Sequence, residues 1–140
     1  MAQLHFDGYY EMGPVAWEDW HAGVRMHGVR FHYTRYYPDG VWLSCYRDRE
    51  FPFWEFTESV TPELLAAAKV DRAPRIGEGD PLCTAGAYVI EDDWLNKVFE
   101  PAWTGGMTWE SKYRIVDDRL LVPNPDGPDG AWLFRPARQI

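Results

Sequence analysis

Long apolar runs are missing from this chain, and no stretch approaches the length needed to cross a bilayer as a helix. Its start, Met1-Ala-Gln-Leu-His-Phe6, lacks the basic and apolar regions of a secretory leader. Cysteine is scarce: Cys45 and Cys83 lie far apart and fit no metal or redox spacing. The expectation is a cytoplasmic protein with both thiols reduced, one of them packed as a small hydrophobe. The four histidines, His5, His21, His27 and His32, contain no His-x-His or His-x-x-x-His pair, so no metal site is expected. Haem needs only one axial histidine, but nothing favours it, and no cofactor is expected. Runs of Lys and Arg are absent and the net charge is −8, so no whole-protein field draws in nucleic acid or an anionic membrane. There is no Gly-x-Ser-x-Gly motif, Cys45 has no identifiable base beyond a register-dependent histidine, and Gly105-Gly106 reads as a turn, not a phosphate cradle.

Aromatic residues, by contrast, make up 16% of the 140 residues, which supplies the apolar surface that disordered chains lack. Bulky rings suit a pleated surface, so strands are favoured over helices. Residues 1–140 are read as a single domain, long enough to bury a core without disulfide support.

The clearest local signal is the segment from Val29 to Tyr46, in which two aromatic and β-branched runs flank Pro38-Asp39-Gly40. Proline presets φ, aspartate bonds back to the backbone and glycine takes the left-handed position, as a three-residue hairpin loop requires. Pairing Tyr37 with Val41 divides the hairpin into two faces. One carries Val29, Phe31, Tyr33, Arg35, Tyr37, Val41, Leu43 and Cys45; the other carries Arg30, His32, Thr34, Tyr36, Trp42, Ser44 and Tyr46. The first is more apolar and is expected to face inward.

Two further hairpins follow. Ala87–Ile90 and Trp94–Phe99 are joined through Glu91-Asp92-Asp93; Met107–Val116 and Arg119–Val122 are joined through Asp117-Asp118. In the first strand of the latter, Met107, Trp109, Ser111, Tyr113 and Ile115 alternate with Thr108, Glu110, Lys112 and Arg114, which marks one solvated face. Ala131–Arg135 reads as a closing strand and Leu4–Glu11 as the opening one, with a bulge or kink at Gly8. A helix is expected from Thr61 to Lys69, with Thr61 as cap and Pro62 at its first position. A turn of helix is also allowed between Trp17 and Val24. Residues 71–81 and 123–130 read as loops.

About eight short strands joined by hairpins would leave two exposed edges unless the sheet closed. The expected fold is therefore all-β: a closed or nearly closed antiparallel up-and-down barrel of about eight strands with one short helix. Three segments, Phe6-Asp-Gly-Tyr-Tyr10, Arg35-Tyr-Tyr-Pro-Asp-Gly-Val41 and Gly86-Ala-Tyr-Val-Ile90 ahead of an acidic turn, resemble the small lipocalin-like (calycin) domains. A similar order of motifs occurs in the C-terminal lipocalin-like region of some F-box proteins; this chain carries no F-box, so no ubiquitin role transfers. The resemblance runs from about Phe6 to Phe134 and implies a cavity, not a reaction. The Gly-x-Trp signature of secreted lipocalins is replaced by Gly8-Tyr9-Tyr10, which argues against a secreted carrier.

The leading expectation is a non-catalytic binder of a small hydrophobic or amphipathic molecule. Arg35 would anchor a polar head, with Tyr33 and Tyr37 as hydroxyl donors and Phe31, Leu43, Trp109 and Tyr113 as walls. Phe51–Phe56 would cover the mouth. The bland alternative pairs Arg35 with a protein acid such as Glu55. Glu55, set among aromatics, is with Tyr33 the candidate catalytic group if the barrel instead isomerises or cyclises an apolar substrate. A third reading fills the barrel and leaves its exposed aromatics as an interaction surface, where a homodimer is allowed.

Overall fold

A computed structural model describes residues 3–63, 65–66, 83–99, 109–123 and 130–137. Eight antiparallel strands close into one barrel in chain order: β1 (Gly8–His21), β2 (Val24–Tyr37), β3 (Val41–Arg47), β4 (Cys83–Glu91), β5 (Trp94–Phe99), β6 (Trp109–Val116), β7 (Arg119–Val122) and β8 (Gly130–Pro136). A short helix, α1 (Phe53–Glu58), lies between β3 and β4. Closure is a β1–β8 seam running from Gly8 opposite Pro136 to Glu11 opposite Leu133. Among the described residues no helix is long and apolar enough to cross a membrane.

The tight turns form where the sequence places left-handed residues. Gly40 has φ of 90° and closes its turn through a bond from its N–H to the Tyr37 carbonyl. Asp92 (φ 55°) and Asp117 (φ 53°) serve the β4–β5 and β6–β7 turns, a conformation that the short polar side chain of Asp tolerates. All three turns lie at one end of the barrel. Leu4 is buried there, and the Tyr10 hydroxyl accepts the His5 N–H at 3.0 Å, so the N-terminal segment plugs that end.

The opening strand departs from expectation. It begins at Gly8 and runs to His21, and the segment expected to offer a turn of helix instead forms the tip of a long β1–β2 hairpin, turned at Ala22-Gly23. Local propensity yields to cross-strand pairing, which is continuous from Val15–Arg30 to His21–Val24. The irregularity expected at Gly8 lies between Met12 and Val15, where the peptide before Pro14 is cis. Beyond it the hairpin projects as an arm, with Trp20, Val24, Met26 and Val29 exposed.

Gly8 has a different task. A Cβ there would collide with the Arg135 carbonyl and come within 2.7 Å of the Phe134 ring. Gly8→Ala should therefore strain the closing seam and cost about 1–3 kcal/mol. Urea unfolding followed by tryptophan fluorescence reads this as a lower midpoint; an unchanged midpoint would show that the seam relaxes freely.

Register identifies the interior. Tyr10, Thr34, Ser44 and Thr84 stand opposite one another along β1 to β4, as do Tyr36, Trp42 and Gly86. On the same face Tyr88 meets Lys97, Lys97 meets Ser111, Leu95 meets Tyr113, and Ile115 meets Leu120, which meets Trp132. These rows supply the cluster of Tyr10, Tyr36, Trp42, Tyr88, Leu95, Tyr113, Ile115 and Leu120, which draws on seven strands and is the barrel core. Edge-on ring contacts of 5.4–5.7 Å join Tyr10, Tyr36, Tyr88 and Phe134 within it.

The face with Phe31, Tyr33, Arg35, Tyr37, Leu43 and Cys45 is therefore the outer one, which corrects the face expected to be interior. It is apolar because α1 covers it. Phe53 stacks on Tyr33 at 5.4 Å and meets Tyr9 edge-on at 5.6 Å. The Phe51–Phe56 segment thus packs on the barrel wall, not over its mouth. Pro52 precedes the helix and Glu55 stands in its first turn, where it suits the helix dipole. The second, expected helix begins as read: Pro62, Glu63, Leu65 and Ala66 are helical, and Leu65 N–H bonds the Thr61 carbonyl. Its end lies outside the described residues, as do the loop read at 71–81 and most of that at 123–130.

The expectation of free thiols is also corrected. Cys45 is disulfide-bonded, and the only other cysteine, Cys83, is its register partner across β3 and β4.

Candidate functional site

The two barrel ends differ. At the short-turn end Tyr36, Leu95, Ile115 and Leu120 are buried, and Ile90 is exposed at the margin. At the end from which the long connections leave, the inward residues His32, Ser44, Tyr46, Thr84, Ser111 and Trp132 are only half-buried. Beneath this ring lie Thr34, fully buried, and Lys97, 5% exposed.

Lys97 is the unusual group. It sits on the apolar row of β5, in phase with Leu95, and its ammonium nitrogen is 4.0 Å from the Trp42 ring centre. Tyr113, Tyr36 and Trp132 surround it at 5.6, 5.7 and 5.9 Å. Its hydrogen-bond partner is the Ser44 hydroxyl at 3.4 Å, and Ser44 in turn shares a short hydrogen bond with Thr34. No carboxylate among the described residues lies within ion-pair distance. Burial accordingly pulls the Lys97 amine down to about 7, so much of it is neutral at physiological pH. The facing rings offset part of that cost by cation–π attraction whenever it is charged.

His32 forms the rim between Tyr46 and Trp132, at 5.8 and 6.1 Å between ring centres. Burial, and secondarily the Arg30 charge, hold its pKa below the ordinary histidine value. The site therefore offers neutral donors and acceptors around one amine. Burial raises the tyrosines beneath: Tyr10 and Tyr88 to about 12, and Tyr36 well above its usual value. They are neutral hydroxyls at any physiological pH.

Most of the residues expected to bind ligand lie elsewhere. Arg35 sits on the outer wall, with its guanidinium 3.8 Å over Trp54 and 4.7 Å over Tyr37, and it donates to the Thr57 hydroxyl at 2.9 Å. Its carboxylate neighbour is Glu58 at 3.7 Å, not Glu55. Tyr33 and Tyr37, with Phe31 and Leu43, belong to the same outer cluster. Glu55 is exposed on α1 while its aromatic neighbours face the wall. Of the expected walls, Tyr113 lines the interior beside Lys97. Trp109 opens β6 in register with Phe99, and its side chain lies outside the described residues.

Arg35→Ala should thus act on stability. Losing the Trp54 stack and the Thr57 bond is expected to cost about 1–2 kcal/mol and loosen α1. Thermal unfolding checks this; an unchanged melting temperature would show that these contacts hold nothing in place.

A separate groove of about 330 Å³ lies on the outer side of β4–β6, lined by Val89, Glu91, Asp92, Trp94, Asn96 and Lys112. It is on the opposite face of the sheet from Lys97 and shares no residue with the interior. Among the described residues no three His, Cys, Asp or Glu side chains gather as a metal site. Comparison with known proteins finds no matching family model, no matching curated relative and no matching solved structure.

Proposed function

We propose that this barrel is a lipocalin-like, non-catalytic binder of a small hydrophobic or amphipathic molecule that enters through the long-connection end. One observation carries the reading: a buried lysine with no carboxylate partner among the described residues lies beneath a ring of half-buried inward residues. Keeping a lone amine inside an aromatic core costs stability, so its presence calls for a use. Aromatic walls supply affinity, and Lys97 with Ser44 and Thr34 takes the orienting role that Arg35 was expected to play. The partner is then a small molecule, with neither nucleic acid nor membrane engaged by a chain of net charge −8. The cytoplasmic expectation, drawn from the lack of a leader and of a membrane-length apolar run, carried reduced thiols with it; a disulfide at Cys45 favours an oxidising compartment instead.

Native mass spectrometry of freshly purified protein tests the reading. The expected result is a discrete species above the chain mass that leaves on denaturation and is retained at least about tenfold less by Lys97→Met. A clean apo mass, together with no uptake of an added long-chain alcohol, would overturn it.

A second reading, an interaction protein that self-associates, is favoured by the exposed apolar side chains of the β1–β2 arm. Sedimentation of the wild type and of Trp20→Ser with Met26→Ser separates the two: a dimer lost in the double variant supports it, and a monomeric wild type at high concentration sinks it.

A further inference from the structure

Lys97 is buried among four aromatic rings, and the kind of head group it would accept follows from those surroundings. A carboxylate head would have to bury an ion pair beside Lys97, because the other cation of the inward β2 row, Arg30, lies at the rim over the Tyr46 ring. A hydroxyl head would gain one hydrogen bond and would need no amine. A carbonyl is different: it is uncharged, it suits aromatic walls, and carbon–nitrogen bond formation requires a neutral amine. An ordinary exposed lysine is almost wholly protonated at neutral pH, whereas this one is not. Lysine is otherwise sparse, the remaining two being Lys69 and Lys112, and Lys112 is exposed on the outer face of β6.

We infer that the barrel takes long-chain apolar aldehydes and holds them as an imine on Lys97. The inference rests on the binding reading above and names its ligand class. The Lys97 nitrogen lone pair attacks the aldehyde carbon, the carbonyl π pair moves to oxygen, and a nitrogen proton passes to that oxygen to give a carbinolamine. Ser44, 3.4 Å from the nitrogen and bonded to Thr34, is placed to relay that proton. Loss of the hydroxyl with the second nitrogen proton releases one water and leaves a neutral C=N bond. No oxidant or reductant is consumed, and the reverse hydrolysis frees the aldehyde. Tyr36, Trp42, Tyr113 and Trp132 flank the linkage.

The test uses decanal with cyanoborohydride on the full chain near neutral pH, followed by intact mass and peptide mapping. The alcohol decanol, of the same length but unable to form an imine, reports binding by tryptophan quenching. The expected result is one decyl group per chain, on Lys97, formed at least about tenfold faster than on Lys112 and slowed by decanol. Lys112 in the same molecule is the internal reference, so the result does not depend on Lys97→Met folding. Lys97→Arg supplies the second check: charge is kept and the specific adduct is lost. If decanol binds but decyl groups spread over Lys69, Lys112 and the amino terminus, the imine inference falls and the binding reading stands. The same holds if decanoate binds more tightly than decanol while Lys97 stays unmodified. If neither decanol nor decanal is taken up, the binding reading falls as well.

Discussion

Stability should rise as the pH is raised from about 7 to about 10, a range in which most proteins of this composition are flat or declining. Lys97 causes it. Its folded-state pKa, about 7, lies below the unfolded value near 10.5, so over this window the unfolded chain binds the extra proton. Stability increases with pH wherever the unfolded state binds more protons; the cost of burying the amine is full below pH 7 and fades as the unfolded lysine also loses its charge. The shift corresponds to at most about 5 kcal/mol, less whatever the surrounding rings return to the charged form. His32 adds a smaller effect of the same sign at lower pH, because its pKa is depressed on folding. The buried tyrosines act the other way. Tyr10, Tyr36 and Tyr88 hold their protons more tightly folded than unfolded, so stability falls again above about pH 10. Urea titrations from pH 6 to 11 should trace a dome peaking on the alkaline side. Lys97→Met should flatten its acid limb and be more stable than wild type at pH 6 by about 1–3 kcal/mol. Parallel profiles for the two proteins would show that Lys97 is charged and solvated, and would remove the site argument with it.

Reduction of the disulfide should produce the second large effect. Cys45 and Cys83 bracket a connection of 37 residues, and cross-linking a loop of that size restricts the unfolded chain by about 4 kcal/mol. The link also fastens β3 to β4 at the end from which the long connections leave, beside Ser44 and Thr84. Treatment with a phosphine reductant, or replacement of both cysteines by alanine, should lower the melting temperature by roughly 10 °C. Intact mass should show the gain of two hydrogens on reduction. A fully reduced chain with an unchanged melting temperature would mean that the bond constrains nothing that folding has not already fixed.

Arg35 and Lys97 show what could and could not be read in advance. Arg35 drew attention because it interrupts an apolar strand face, and an apolar face usually marks the interior. Both faces of the β2–β3 hairpin are covered, one by the opposite wall of the barrel and one by α1. Alternation therefore could not rank them. Lys97 drew none, because a single lysine in a short strand reads as solvated. The available signal was its phase with Leu95 on the inward row of β5, legible only once Tyr88 is known to stand opposite it. On β6, whose outer row is exposed, alternation identified the inner row correctly: Tyr113 and Ile115 are buried, while Lys112 and Arg114 are exposed.

Local chemistry in the sequence determined the strand count and the Pro38-Asp39-Gly40, Asp92-Asp93 and Asp117-Asp118 turns. It also set the start of the helix at Pro62 and, through the wish of a meander to hide its edges, the closure of the barrel. Those are decisions made within a few residues, by φ preferences, capping and period-two patterning. Tertiary structure alone decided which hairpin face looks inward, that Phe53–Glu58 coils against the outer wall, that Cys45 meets Cys83, and that an amine is buried among four rings. Each of these depends on a partner brought in from a distant part of the chain, and pairwise burial between distant segments leaves no mark in local sequence.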